Sequence, residues 1–302
     1  MLKKKWDSSD IPDQKGRMAV VTGSSSGIGY ETAGVLAEKN AAVVIAVRNL
    51  KKGNDAAEKI KSGHRSADIR VMELDLADLS SVRRFAEKFK ADNTRLDLLI
   101  NNAGVMMPPY SKTSDGFELQ FGTNHLGHFA VTGLLLDLIV KTPGSRIVNV
   151  SSGAHKLGGL NFEDLNWENR PYRKAKAYVD SKIANIYFTY ELQKKLRDAG
   201  YETLVTAAHP GWTATELQRH AGLLRFLNNF LAQGIEMGAL PTLYAAVGPD
   251  AEAGDYFGPS GLGEMRGYPK KVESNGLSHD EKISAKLWRV SEELTEIKYP
   301  LS

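Results

Sequence analysis

From residue 17 to about residue 257, short apolar runs alternate with stretches whose apolar residues recur at helical spacing. Met18 to Val21, Ala42 to Val47, Ile69 to Met72, Leu96 to Ile100, Arg146 to Val150 and Thr203 to Ala208 predict strands. Most are apolar at successive rather than alternate positions. Successive strand side chains point to opposite faces, so this pattern predicts a sheet covered on both sides, the usual state of a parallel sheet. Between the runs, Leu79 to Phe89 puts apolar residues at 79, 82, 85 and 89, one face of a helix. Strand, helix, strand repeated in this way predicts right-handed crossovers and an α/β fold, a doubly wound parallel sheet of about seven strands with helices on both faces. No linker or repeat interrupts it, so a single domain is expected over 15–260. A basic lead (1–14) precedes it. An extension (261–302) follows, glycine-rich to Gly267 and ending in a helix near His279 to Thr295.

Composition narrows the partners. With 302 residues, 42% of them hydrophobic, there is material for a sizeable core, and 39 basic against 36 acidic residues leave a charge of +3, too slight to argue for nucleic acid. No apolar segment follows Lys3-Lys4-Lys5, which reads as a solvated lead rather than a signal peptide. The longest apolar run, Leu134 to Val140, is broken by Asp137 and falls short of the roughly 18 residues a membrane span needs. There is no cysteine, which excludes disulfides, thiolate zinc sites and a cysteine nucleophile. A soluble cytoplasmic protein with a small-molecule substrate is expected.

Directly after the first predicted strand comes Thr22-Gly23-Ser24-Ser25-Ser26-Gly27-Ile28-Gly29, and a helical pattern follows at once. Glycines at 23, 27 and 29 allow positive φ and close approach of a backbone to a phosphate. A helix start offers unpaired N–H groups and a positive dipole end to a pyrophosphate. A tight turn would use the same glycines, but their place between first strand and first helix points to a dinucleotide and a Rossmann-type sheet. The end of the second strand, Val47-Arg48-Asn49, lacks the carboxylate that would hold NAD ribose hydroxyls. Arg48 suits a 2′-phosphate, because its planar fork binds phosphate bidentately. NADP is therefore expected rather than NAD.

With TGSSSGIG (22–29), LDL (74–76), NNAG (101–104), GTNHLGHF (122–129), VNVSS (148–152), YVDSK (178–182) and HPGWTAT (209–215) in this order, the chain resembles the short-chain dehydrogenase/reductase family over about residues 15 to 260. Its wording and the long span between Ser152 and Tyr178 look like the retinol-dehydrogenase-like and WW-domain-oxidoreductase-like branch. The resemblance implies that Asp75 and Leu76 contact the adenine. It implies that Asn101, Asn102, Ala103 and Gly104 lie along the adenosine ribose, and that Pro210, Gly211 and Thr213 pass beside the nicotinamide carboxamide. It also implies a catalytic set of Asn124, Ser152, Tyr178 and Lys182, with Asn124 binding a water that links Lys182 to solvent.

The residue types support that chemistry. Carbonyl reduction needs a hydride at carbon and a proton at oxygen. A free tyrosine, with a pKa near 10, exchanges protons poorly at pH 7, and an ammonium a few Å away would lower it. Lys182 lies one helical turn beyond Tyr178. Ser152, at the end of the fifth strand, can donate to the same oxygen, with Ser151 as its fallback. The 25 residues between Ser152 and Tyr178, roughly double the family's usual span, mark an insertion around Leu157 to Arg173.

His125 and His128 flank Asn124, yet no carboxylate stands at metal-ligand spacing, so no metal is expected. His155 is a candidate for the cavity wall. Substrate-side candidates are Met106-Met107-Pro108-Pro109, Gly158-Gly159-Leu160 and a lid over about 213–235, whose Leu223, Leu224, Phe226, Leu227, Phe230 and Leu231 suit an apolar ketone or aldehyde. The expected function is an NADP(H)-dependent carbonyl reductase or alcohol dehydrogenase. The alternatives are a cofactor-binding sensor or scaffold, or reduction of another bond. Monomer and homodimer are both left open.

Overall fold

A computed structural model describes residues 5–213 and 233–301. Its strands are β1 (Met18–Thr22), β2 (Ala42–Val47), β3 (Ile69–Glu73), β4 (Leu98–Asn101), β5 (Arg146–Val150), β6 (Leu204–Ala208), β7 (Tyr256–Pro259) and β8 (Pro269–Lys271). They form one sheet in the order β3-β2-β1-β4-β5-β6-β7-β8. Every pairing is parallel except β7–β8. The eighth strand exceeds the expected count of about seven. It escapes the apolar-run pattern because it is a short edge strand, whose Lys270 and Lys271 are exposed.

Alternation within β1 explains the layers. Ala19 and Val21 join one buried core and Met18 and Val20 the other. The first core is roofed by α1 (Gly27–Glu38), α2 (Leu50–Gly63) and α6 (Ile235–Val247). The second is roofed by α3 (Leu79–Asp92), α4 (Gly127–Lys141) and α5 (Lys174–Asp198). In α3 the predicted stripe is the buried face: Val82, Phe85 and Phe89 are inside, and Asp78 caps the start by accepting from the Ser80 N–H. Truncating a buried ring such as Phe89 to alanine costs about 3–5 kcal/mol.

The extension joins this core. Its helix α7 (Glu281–Thr295) lies over α4 and α5, with Trp288 edge-on to Phe129 and Tyr299 donating to the Phe129 carbonyl (2.6 Å). The described part of the lead is also packed, with Ile11 buried and Trp6 edge-on to Tyr244. The insertion docks on α5. A side chain at Gly158 would strike the Val179 carbonyl, Asp180 accepts from the Gly159 N–H, and Tyr172 donates to the buried Glu118.

Candidate functional site

The chain runs from β1 through β2 and β3 on one side, then crosses to β4 on the other. Strand order reverses there, and loops diverging from the carboxyl ends of β1 and β4 leave a crevice. A cleft of about 840 Å³ opens at this point, and it is lined by the loops after β1, β2, β3, β4, β5 and β6. Gly23, Ser25, Ser26, Gly27, Ile28, Gly29, Arg48, Asp75, Leu76, Asn102, Ala103, Gly104, Tyr178, Lys182, Pro210, Gly211 and Thr213, all expected at the cofactor, lie on its wall, whereas Asn101 is buried behind it, its amide donating to Thr132 Oγ1 and Asn149 Oδ1.

The glycine loop is shaped by close packing. Gly23 and Gly27 take left-handed φ values of 65° and 60°. A Cβ at Gly29 would lie 2.7 Å from the Gly23 carbonyl oxygen and collide with the Asn102 amide. That amide donates to the Thr22 carbonyl (2.8 Å), and Thr22 Oγ1 accepts from the N–H groups of Asn102 and Ala103 (both 2.9 Å). The two strand-end loops are thus knitted together. Ser26, at the N-cap of α1, makes no side-chain cap, and the first turn carries no acidic residue. The helix's first N–H groups and positive dipole end remain available to an anion in the cleft.

At the end of β2, the Arg48 guanidinium is 68% exposed and 3.9 Å from the Asp75 carboxylate. Asn49 caps α2, accepting from the Lys52 N–H at 3.0 Å, and this turn brings Lys52 to the cleft beside Arg48. Lys52 was not foreseen; Asn49, a good N-cap residue that starts the helix at once after Arg48, was the signal that could have placed it there. Asp75 Oδ1 accepts from the Ala77 N–H (3.0 Å), while Asp78 caps α3, so Asp75 does not serve as that helix cap.

At the other end of the cleft stand Ser152, Tyr178 and Lys182. The insertion loops outward, so β5 and α5 bring Ser152 and Tyr178 together on the cleft wall, near enough for the Ser152 hydroxyl to favour the phenolate. Ser152 Oγ also accepts from the Ala154 N–H (3.2 Å). Ser151 turns inward and donates to the Lys182 carbonyl (2.8 Å). Burial pushes the Tyr178 phenol up to about 12, against the Ser152 hydroxyl, and pushes Lys182 down to about 8. The expected lowering of Tyr178 by Lys182 is therefore not produced by the protein alone. Lys182 Nζ lies 5.8 Å from the ring centre and donates to the Val150 carbonyl at 3.2 Å.

Asn124 is fully buried and sits one layer behind the wall, in a widened π-type turn (Gly122–Leu126). Such widened turns recur at functional sites. Its amide accepts from the Val105 N–H (2.8 Å) and donates to the Val105 carbonyl (3.0 Å) and Ser181 Oγ (2.9 Å). A Cβ on Gly104 would lie 3.2 Å from Asn124 Oδ1 and 3.5 Å from Lys182 Nζ, so this glycine lets the two approach.

The histidines separate. His125 meets Ser291 Oγ (2.8 Å), and His128 meets Thr22 Oγ1 (2.9 Å) and the Asn124 carbonyl (2.9 Å). Burial pushes them down to about 3 and about 4, so both are neutral struts at pH 7. His155 is fully buried behind Ser152 rather than on the wall. Met106, Met107 and Pro108 do line the cleft, with Met107 at a strained φ of 52°. Gly158, Gly159 and Leu160 do not line it; close packing on α5 takes them away. The lid expected over about 213–235 lies mostly outside the described residues. Lys156, Glu264 and Met265 also line the cleft without having been foreseen there, and His209 and Trp212 of the HPGWTAT stretch join them. For Glu264 and Met265 no local signal existed, since only the docking of the extension brings them in.

The family model for short chain dehydrogenases matches residues 17–223. Retinol dehydrogenase 12 of Homo sapiens is 42% identical over 290 residues, covering 94% of this chain and 88% of that protein. The crystal structure of an uncharacterized protein from Mycobacterium paratuberculosis superposes with a TM-score of 0.85 at 42% identity, covering 99% of this chain and 100% of the other. The Pseudomonas aeruginosa RhlG/NADP active-site complex superposes with a TM-score of 0.65 at 25% identity, over 81% of this chain and 94% of that one.

Proposed function

Because the chain belongs to the short-chain dehydrogenase family, in its retinol-dehydrogenase-like branch, and is therefore an oxidoreductase, we propose that it interconverts an apolar ketone or aldehyde and its alcohol with NADP(H). One observation carries this reading. The Tyr178–Ser152 hydroxyl pair, with Lys182 behind it, stands in the same cleft as an uncapped helix start and two cations at the end of β2.

In this reading the loop Gly23 to Gly29 and the start of α1 hold the pyrophosphate. Arg48 and Lys52 hold the 2′-phosphate, and the RhlG structure was solved with NADP. Asp75 and Leu76 face the adenine, Asn102 to Gly104 follow the ribose, and Pro210, Gly211 and Thr213 flank the nicotinamide. The bound cofactor supplies the hydride for the carbonyl carbon. Ser152 and Tyr178 both donate to the carbonyl oxygen and stabilise the charge that builds there. Tyr178 passes its proton to that oxygen. The Lys182 ammonium favours the phenolate that remains, and its position beside Asn124 gives the phenolate a route to a new proton. Met106, Met107, Pro108, Trp212 and Met265 make an adaptable apolar wall suited to an apolar carbonyl.

The test is NADPH oxidation against a panel of apolar ketones and aldehydes. Turnover is expected for the parent and absent in Tyr178→Phe, with cofactor affinity kept in both. Undiminished turnover by Tyr178→Phe contradicts the mechanism.

A further inference from the structure

We propose that the C-terminal extension is part of the active site and acts through two buried histidines, His155 and His209, as positioning residues for the loops on either side of the reacting carbonyl. Only the kinetic arm of this proposal rests on the carbonyl-reductase reading.

His155 Nδ1 lies 2.7 Å from the Ser152 carbonyl oxygen. A carbonyl only accepts, so Nδ1 carries the proton and donates. His155 Nε2 accepts from the backbone N–H of Asn275, in the extension, at 3.3 Å. One ring nitrogen thus faces an acceptor and the other a donor, which selects the neutral Nδ1–H tautomer. A second proton, at Nε2, would point at the Asn275 N–H. Burial also pushes His155 down to about 4. Tyr256 donates to the same Ser152 carbonyl at 3.4 Å, and its ring stands edge-on to His155.

His209 is wired the opposite way. Its Nδ1 accepts from the Gly211 N–H at 3.3 Å, so the proton sits on Nε2. Nε2 lies 3.2 Å from the carboxylate of Glu264, again in the extension, a charge contact rather than an aligned hydrogen bond. That carboxylate is also 3.2 Å from Lys156, beside His155. His209 and Lys156 hold Glu264 down to about 2, so it is anionic at pH 7. The extension reaches Glu264 into place with a left-handed backbone, φ 58°, and clasps the next loop, the Trp212 N–H donating to the Met265 carbonyl at 2.7 Å.

The two histidines therefore carry opposite tautomers because the extension presents a donor to one and an anion to the other. One holds the carbonyl of Ser152, and the other holds the N–H of Gly211. Either tautomer reversed would set like against like, and misplacement of a reacting group by about 1 Å can cost about a hundredfold in rate.

The experiment uses the full chain. Side-chain ¹⁵N spectra of histidine-labelled protein at neutral pH are expected to show His155 as Nδ1–H and His209 as Nε2–H; the reverse tautomer at either, or a doubly protonated His155, overturns the proposal. In kinetics, His155→Leu and Glu264→Ala are each expected to lower kcat about tenfold or more, with KM for NADPH within about twofold. His155→Asn, whose amide N–H replaces Nδ1–H, and Glu264→Gln, which keeps an acceptor for Nε2–H, are expected to stay within about threefold of the parent. His155→Gln places its amide at the Nε2 end and is expected to fail. An equal loss in His155→Asn and His155→Gln, or no loss in His155→Leu and Glu264→Ala, overturns the proposal. If the parent reduces no carbonyl, the reductase reading fails, while the histidine spectra and amide exchange at Ala154 and Gly211 still decide the positioning roles.

Discussion

The Lys182 ammonium stands 5.8 Å from the centre of the Tyr178 ring and donates to the Val150 carbonyl 3.2 Å away. The two groups are close enough to feel each other's charge but are not bonded. Burial dominates both, raising the phenol to about 12 and lowering the ammonium to about 8. Neither group is tuned to pH 7 by the other alone, so a further positive charge in the cleft has work to do.

The phenol supplies the first prediction. A spectrophotometric titration of the parent, minus that of Tyr178→Phe, is expected to show no Tyr178 ionisation below about pH 11 in the protein alone. Oxidised cofactor is expected to move the transition down by about a unit or more, since a nearby cation favours phenolate. A phenolate at pH 8 without cofactor would contradict the burial argument.

Lys182 makes a linkage prediction. Its folded pKa of about 8 lies below the ordinary 10.5. Between those values the unfolded chain holds a proton that the folded chain lacks, so stability rises with pH in that window. The cost at pH 7 is about 3 kcal/mol, recovered as pH rises. Urea midpoints from about pH 7 to 10 should climb more steeply for the parent than for Lys182→Met. Parallel curves would show that Lys182 keeps an ordinary pKa.

Cofactor choice is tested at the end of β2. Arg48→Ala and Lys52→Ala are each expected to weaken NADPH binding about tenfold or more and NADH less than about twofold, measured by fluorescence titration. Equal losses for both cofactors would remove these side chains from the 2′-phosphate.

The docking of the insertion is tested at Gly158. A Cβ there would lie 2.7 Å from the Val179 carbonyl oxygen and 2.8 Å from Ile183 Cβ. Gly158→Ala is expected to cost about 1–3 kcal/mol, the usual range for overpacking, read by chemical denaturation. Unchanged stability would mean that the segment does not pack tightly on α5.

The extension covers the outer faces of α4 and α5, and this bears on assembly. Trp288→Ala is expected to cost about 3–5 kcal/mol. Light scattering of the full chain is expected to give a monomer, and removal of 281–302 is expected to expose Phe129 and Phe188 and drive association. A stable dimer of the full chain would show that another face pairs.

Much of this site was legible in the chain because its signals are local. Runs apolar on both faces, such as Ala42 to Val47, need no partner to be read as buried strands. The glycines from 23 to 29 mark a turn that side chains would obstruct. Other features had no local trace. Gly158 to Leu160 follow the strand-end loop and suggested a cavity wall, but the shape of α5 draws them away. Glu264 sits in a glycine-rich tail and gains meaning only when that tail folds back over His209.

The sequence by itself determined the parallel sheet, the phosphate-shaped loop and the spacing of Tyr178 and Lys182, because residue periodicity and backbone sterics act over a few residues. Tertiary structure alone decided that Ser152 and Tyr178 share one cleft wall across a span of 25 residues. It also decided that burial outweighs Lys182 at the phenol and that the extension reaches His155 through the Asn275 N–H and His209 through Glu264. Desolvation and hydrogen-bond partners depend on distances between residues far apart in the chain, which no local pattern records.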